Sequence, residues 1–543
     1  MRRLSTGMAI LLLAAPALAV DLDQRSLTNP TAYIPAQCYT ETVDAAGKAH
    51  NPCATCHVRA RVPNYVTGDA DLQTEYAFPG PALKNPWTNL FVDRAKAVAG
   101  VSAAEIDAYV AGDNYFGADG GITLARKLAS PPPDWDEDGD GKWAGYVPDA
   151  YYDFDDEGFD HAPDGRPTGW RAFAYVPLPG GFWPANGSTD DVLIRLAAPY
   201  RSDASGAYDR EIYKVNLAIA EALIRRADVA IDPVDETRLG VDLDKDGTLS
   251  TADRIHYDWA PLEGRTMSWV GAARGARLAA GLFPLGTEFL HSVRYIDVAS
   301  GAVAMAPRMK EVRYGRKTRW QTYADLEEGG LAEAKERDAF PDRISLFDGS
   351  LETGISKGMG WRYQAFIEDA QGDLRPQSFE ETVFCIGCHG GVGVNDDASF
   401  AFARKLPSET AHARGWYHWT QKSIAGVPDP LRADGRPELL TYLETNGAGD
   451  EFRSNAEIIA RFFDAEGHVT AEAAAELERD ISVLLFPSEE RARQLNAAYR
   501  EIVREQSFVR GRDAVLGPAA NVHREVEQNQ PTGIETPLRA ANW

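Results

Sequence analysis

The 543-residue sequence predicts an α+β fold, with two mainly helical or irregular segments flanking a mixed central region that carries acidic loops. Three observations carry this reading. Cys53-Ala54-Thr55-Cys56-His57 and Cys385-Ile386-Gly387-Cys388-His389 repeat one C-x-x-C-H pattern, and they begin 332 residues apart. Two runs rich in Asp and Gly lie between them, around residues 134–141 and 242–253. The chain between those runs mixes strand-like and helical periodicities.

The N-terminus comes first. Arg2 and Arg3 form a charged start, Ala9 to Val20 is an apolar run of 12 residues, and Ala17-Leu18-Ala19 is an A-x-A cleavage site. Twelve residues are too few to span a bilayer. Residues 1–19 therefore read as a secretory signal peptide, with Val20 as the mature N-terminus and a periplasmic or extracellular destination. The Arg pair also fits twin-Arg export; the general route is preferred. No other long apolar run exists and mean hydropathy is −0.35, so no membrane span is expected. Cys38 does not stand at the cleavage site, so no lipid anchor is expected there.

The formal charge is −25, and losing Arg2 and Arg3 makes it −25 − 2 = −27. Such a surface repels nucleic acid and anionic lipid. It suits a basic redox partner steered by electrostatics. A small-molecule substrate is a further expected partner.

Residues 20–130 read as a first domain. Two thiols three positions apart can add to the two vinyl groups of one porphyrin, and the next His then lies under the iron. Cys53, Cys56 and His57 are the first such set, with His57 as iron ligand. C-x-x-C pairs also build zinc sites, but those do not need a His directly after each pair. Ser102 to Glu105 is a capping box opening a short helix to about Ala111. Between Val58 and Asp160 there is no His and no Met. The sixth position of a first haem is then left to His50, to Cys38, to a residue from elsewhere, or to no strong ligand. Cys38, the odd cysteine, is a free thiol, an intermolecular bridge or a ligand.

Residues 131–360 read as the central region, opened by Pro131-Pro132-Pro133. Asp136, Asp138, Asp140 and Asp149 are expected to hold one Ca²⁺, a solvated acidic loop being the alternative. Arg171 to Val176 reads as a strand, Gly180 to Gly187 as a loop, and Glu211 to Ala227 as an amphipathic helix. Asp242, Asp244, Asp246, Thr248 (through its carbonyl), Ser250 and Asp253 match an EF-hand loop, with Asp in place of Glu at the last position. A second Ca²⁺ is expected there. His291 to Val298 is strand-like. Met305 to Arg319 is the one basic stretch: a solvated face, or a site for a haem propionate or an anionic substrate.

Residues 361–520 read as the second haem domain. A helix from Glu380 leads into Cys385, Cys388 and His389, where His389 is the expected iron ligand. His418 is the candidate distal ligand, with a packed structural His and Met359 as alternatives. Residues 454–457 form a capping box, Glu472 to Leu485 and Ser488 to Gln506 read as helices, and residues 521–543 as a tail.

On the two pentapeptides the sequence resembles the c-type cytochromes, with two covalent haem c groups per chain. That resemblance implies periplasmic electron transfer. The alternative it implies is a dihaem oxidoreductase, peroxidase- or oxygenase-like, with one open-coordination haem. The 332-residue spacing departs from the dihaem peroxidases, whose motifs lie closer together. A Ca²⁺-stabilised scaffold is the non-redox alternative.

Overall fold

A computed structural model describes residues 34–181, 183–259, 267–342, 347–447 and 455–539. The expected leader at 1–19 lies outside these residues, as do Ser454, Phe182 and the end of the tail.

The centre is one ten-stranded antiparallel sheet. Its strands are β1 (Phe159–His161), β2 (Pro167–Ala172), β3 (Thr189–Asp190), β4 (Leu193–Arg195), β5 (Glu288–Asp297), β6 (Ala304–Lys317), β7 (Asp348–Ser350), β8 (Gly354–Ser356), β9 (Trp361–Glu368) and β10 (Leu374–Pro376). The order across the sheet is β7-β8-β9-β6-β5-β4-β2-β1, with β10 beside β9 and β3 beside β5. Its strands therefore come from sequence read as two separate regions, 131–360 and 361–520. β5, β6 and β9 are its long members, and β5 is dense in Phe, Leu, Val, Tyr and Ile, which suit a pleated, packed surface.

Side chains alternate across the pleat. Leu290, Val312 and Phe366 face a core with Trp170, Leu193 and Tyr115. Phe289, His291, Arg313 and Tyr363 take the other face, where His291 pairs with Arg313, and Phe289 with Gly315.

Two elements were displaced relative to the sequence reading. The strand expected at Arg171 to Val176 is β2, which ends at Ala172; Tyr175 then pairs alone with Lys405. The basic stretch is no solvated face. It is β6, fourteen residues at mid-sheet, whose Lys310 is 1% exposed. Lys310 Nζ donates to the Gly187 carbonyl and the Ser188 hydroxyl, both at 2.8 Å. Long-range acceptors replace the water that a cation on an exposed face would have.

The helices follow local signals more closely. α1 (Arg210–Arg225) is capped by Asp209 and buries Tyr213, Leu217 and Leu223. α2 (Phe379–His389) opens with a full capping box from Ser378 and Glu381, and it carries the second pentapeptide to its end. α3 (Glu489–Glu505) packs Tyr499, Ile502 and Val503 against Ile106, Val110 and Tyr295. The single helix expected at Glu472 to Leu485 is two, Ala471–Leu477 and Ser482–Leu485, because Asp480 turns the chain and accepts from the Ser482 and Gly426 amides. The tail pairs Gln530–Pro531 with Glu75–Tyr76, tying the chain's end to its beginning. Among the described residues no helix is long and apolar enough to cross a membrane.

Candidate functional site

The two pentapeptides open on one chamber. Its volume is about 670 Å³, and Cys53, Cys56, His57, Cys385, Cys388 and His389 all line it. That volume sits in the range of cavities that bury a sizeable organic ligand. The five cysteines form no disulfide. Cys38 also lines the chamber, and the sheet face with Phe289, His291, Arg313 and Tyr363 forms one wall.

The sites are built differently. Pro52–Thr55 is a single tight turn, held by Asn51, whose side chain accepts from the Ala54 amide at 3.2 Å. The second motif is the last part of α2. Direct contacts tie the first motif and the segment after it to the stretch that follows the second. The Val394 amide donates to the Cys56 carbonyl at 3.1 Å. Asn64 Nδ2 donates to the carbonyls of Val392 and Asn395, at 2.9 and 3.1 Å.

Each motif imidazole is held at Nδ1. His57 Nδ1 meets Asp69 Oδ1 at 3.0 Å, and His389 Nδ1 meets the Ala398 carbonyl at 2.9 Å. Among the described residues no hydrogen bond engages Nε2 of either ring. A ring with Nδ1–H so engaged offers Nε2 as a neutral donor, the tautomer that metal-binding imidazoles adopt. Burial lowers the pKa of His389, which keeps that ring neutral. Burial also pushes the Cys388 thiol up to about 11 and raises that of Cys385, so both are protonated at neutral pH. The His389 ring lies 5.1 Å from that of Tyr363. Four thiols and two outward imidazoles in one cavity fit two covalently attached tetrapyrroles, each with its own iron ligand.

A polar group that the sequence reading missed stands on the same wall. His291 and Asp190 both line the chamber, with Nδ1 and Oδ2 3.8 Å apart, and the Tyr175 hydroxyl donates to Asp190. Burial pushes His291 down to about 4 and Asp190 up to about 7. Apart from the motif histidines, His291 is the imidazole lining the chamber among the described residues. No local pattern flags it, because it is one strand position in β5.

His418 lies elsewhere. Its Nδ1 is 2.7 Å from the Thr420 hydroxyl, its Nε2 is 3.0 Å from Asp191 Oδ2, and it borders a separate small cavity. Both ring nitrogens are therefore engaged within a buried network. Met359 does line the chamber. His50 is buried, with Nε2 2.8 Å from Asp44 Oδ2, and it is not part of the chamber wall.

The acidic loops fold only partly as expected. Carboxylate oxygens of Asp242 and Asp244 converge with Glu236, all within 4.8 Å of one another, while the Asp246 and Asp253 carboxylates are not part of that group. Glu236 is fully buried and accepts from the Ser250 amide at 2.9 Å. Asp253 is exposed on the short strand Thr251–Ile255. Asp136 and Asp138 converge with Glu352, without Asp140. Asp149 instead binds Arg195 Nη1 at 2.6 Å and Trp170 Nε1 at 2.8 Å.

The model of a family described as “-like lipoprotein” matches residues 22–481. A protein of Aquifex aeolicus (strain VF5), named only as an uncharacterized lipoprotein, is 31% identical over 559 residues, covering 93% of this chain and 90% of its own length. No solved structure matches. These matches correct the family expected from the pentapeptides: the relatives are described as lipoproteins and not as c-type cytochromes. The electron-carrier function and its dihaem-oxidoreductase alternative came with that attribution, and they fall with it. The pentapeptides remain in the sequence as chemistry to be explained.

Proposed function

Because the chain belongs to the “-like lipoprotein” family, whose description names no activity, we propose a function from the chamber: an exported protein that would hold two haem c groups covalently in that one cavity. The observation that carries this is the convergence of both C-x-x-C-H motifs on one cavity, with no hydrogen bond to Nε2 of His57 or His389 among the described residues. When bound, each group would supply an iron centre, which His57 and His389 would ligate. The protein does the rest. Cys53 and Cys56 would hold one haem through its two vinyl groups, and Cys385 and Cys388 the second. Asp69 and the Ala398 carbonyl orient the two histidines. The wall of Phe289, Tyr363 and Trp361 excludes water from the enclosed faces.

Export follows from the family. The finer reading is cleavage after Ala19 and a periplasmic or extracellular location, checked by N-terminal sequencing of the exported chain. Ca²⁺ at Asp242, Asp244 and Glu236, and at Asp136, Asp138 and Glu352, belongs to the same reading. Its role is to hold together carboxylates that would otherwise repel.

The test is pyridine haemochrome assay with intact mass on protein made in a host that matures haem c. Two haem masses per chain are expected, with one lost from the double variant Cys385→Ser, Cys388→Ser. A chain at polypeptide mass, or one carrying zinc, overturns the reading.

A further inference from the structure

We propose that Asp69 is a positioning residue that couples the two sites, orienting His57 and tying it to the backbone that follows the second motif. This rests on the chamber reading above and deepens it.

Asp69 opens the short turn Asp69–Gln73, twelve residues after His57. Its side chain is 6% exposed. One carboxylate oxygen, Oδ1, accepts from His57 Nδ1 at 3.0 Å. The other, Oδ2, accepts from the Gly393 amide at 2.7 Å. Gly393 lies four residues after His389. The approach is close enough to demand glycine: a Cβ there would stand 2.1 Å from the Val58 carbonyl oxygen and 2.6 Å from Asp69 Oδ2. The Val394 amide fastens the same stretch to Cys56 of the first motif, and Asn64, seven residues after that motif, holds its Val392 and Asn395 carbonyls. A shift of the 392–395 backbone therefore reaches the His57 ring through one carboxylate.

The two rings are inequivalent as a result. His57 faces a buried carboxylate, and His389 faces a neutral carbonyl. A carboxylate draws the Nδ1 proton toward itself and makes Nε2 the stronger donor. Iron bound at His57 is then favoured in its oxidised form relative to iron bound at His389. The Gly393 amide draws charge from the same carboxylate and moderates the effect.

The test is Asp69→Asn, with Asp69→Glu as the charge-retaining rescue and circular dichroism to confirm folding. In the haem-loaded protein, the expected result is two reductive steps in a spectroscopic titration. The lower one moves upward in Asp69→Asn, returns toward its place in Asp69→Glu, and the other stays fixed. The iron–histidine stretch of one site falls in parallel. Both steps and both stretches unchanged in a folded, doubly loaded Asp69→Asn would overturn the proposal. A second measurement does not depend on haem. In the unloaded chain with ¹⁵N-labelled histidine, His57 should be the Nδ1–H tautomer and lose that preference in Asp69→Asn; an unchanged tautomer refutes the coupling. Absence of haem from the wild-type chain is a failure of the chamber reading alone, and the tautomer experiment then decides on Asp69.

Discussion

Replacing Gly393 by Ala probes the junction on which the chamber depends. The added methyl would sit 2.1 Å from the Val58 carbonyl oxygen, a backbone atom that cannot swing aside. The 392–395 stretch must therefore withdraw by roughly the overlap. Withdrawal breaks the 2.7 Å bond from the Gly393 amide to Asp69 and the 3.1 Å bond from Val394 to the Cys56 carbonyl. A hydrogen bond to a charged group contributes about 1.5–3 kcal/mol and a neutral one about 0.5–1.5 kcal/mol. Forcing an extra methyl into a packed site costs about 1–3 kcal/mol. Partial relaxation makes these terms overlap, so about 2–4 kcal/mol of destabilisation is expected. Urea unfolding followed by tryptophan fluorescence should show a lower midpoint with an unchanged slope. Gly329→Ala is the control: its site, on the helix Tyr323–Ala339, has nothing within 4 Å, so Ala there should be neutral or gain about 0.5–1 kcal/mol from helix propensity. A Gly393→Ala protein with the wild-type midpoint would refute the argument that this close approach joins the motifs.

Chelation should lower the melting temperature through ligand linkage, and Asp244→Ala or Glu236→Gln should remove most of that sensitivity; a melt unmoved by chelator at low residual calcium sinks the Ca²⁺ reading. Burial raises Asp190 from the usual 3.8 to about 7, so the folded chain binds a proton there that the unfolded chain has released. Its contribution to stability is complete below about pH 4 and is lost as pH rises through about 7. Asp190→Asn should flatten the fall in urea midpoint between pH 5 and pH 8, and an identical fall in both proteins would contradict the assignment. His418→Ala leaves Asp191, 2% exposed, without its 3.0 Å partner and should cost about 2–4 kcal/mol while leaving the absorption spectrum of the loaded chamber unchanged. A changed spectrum would put His418 in the iron's coordination sphere.

Features set by a few neighbouring residues were legible in the sequence. The run from Glu380 into the motif and the apolar spacing of 212–223 place α2 and α1 within two residues of the observed ends, because helical periodicity acts inside one or two turns. Features set across the sheet were not. Lys310 and Lys317 read as part of a basic surface because their partners lie far away in sequence: the Gly187 carbonyl for Lys310 and Asp397 for Lys317. Arg313 pairs within β6 itself, with Glu311 at 2.9 Å, a contact that only the extended backbone brings about. His418 had a suitable distance from the second motif along the chain, but its partner Asp191 was invisible there.

The chemical groups of the two motifs were legible in the sequence alone. Two thiols and an imidazole sit at fixed spacing in each motif, and spacing within five residues limits how far those groups can separate. Only the tertiary structure decided that the two sets share a chamber. Closing a loop of 332 residues has an entropic cost that no local pattern offsets. What offsets it is burial of the faces of β5, β6 and β9, together with the contacts of Asp69, Asn64 and Cys56 with the 392–395 backbone. Those contacts exist only once the sheet has brought the two halves together.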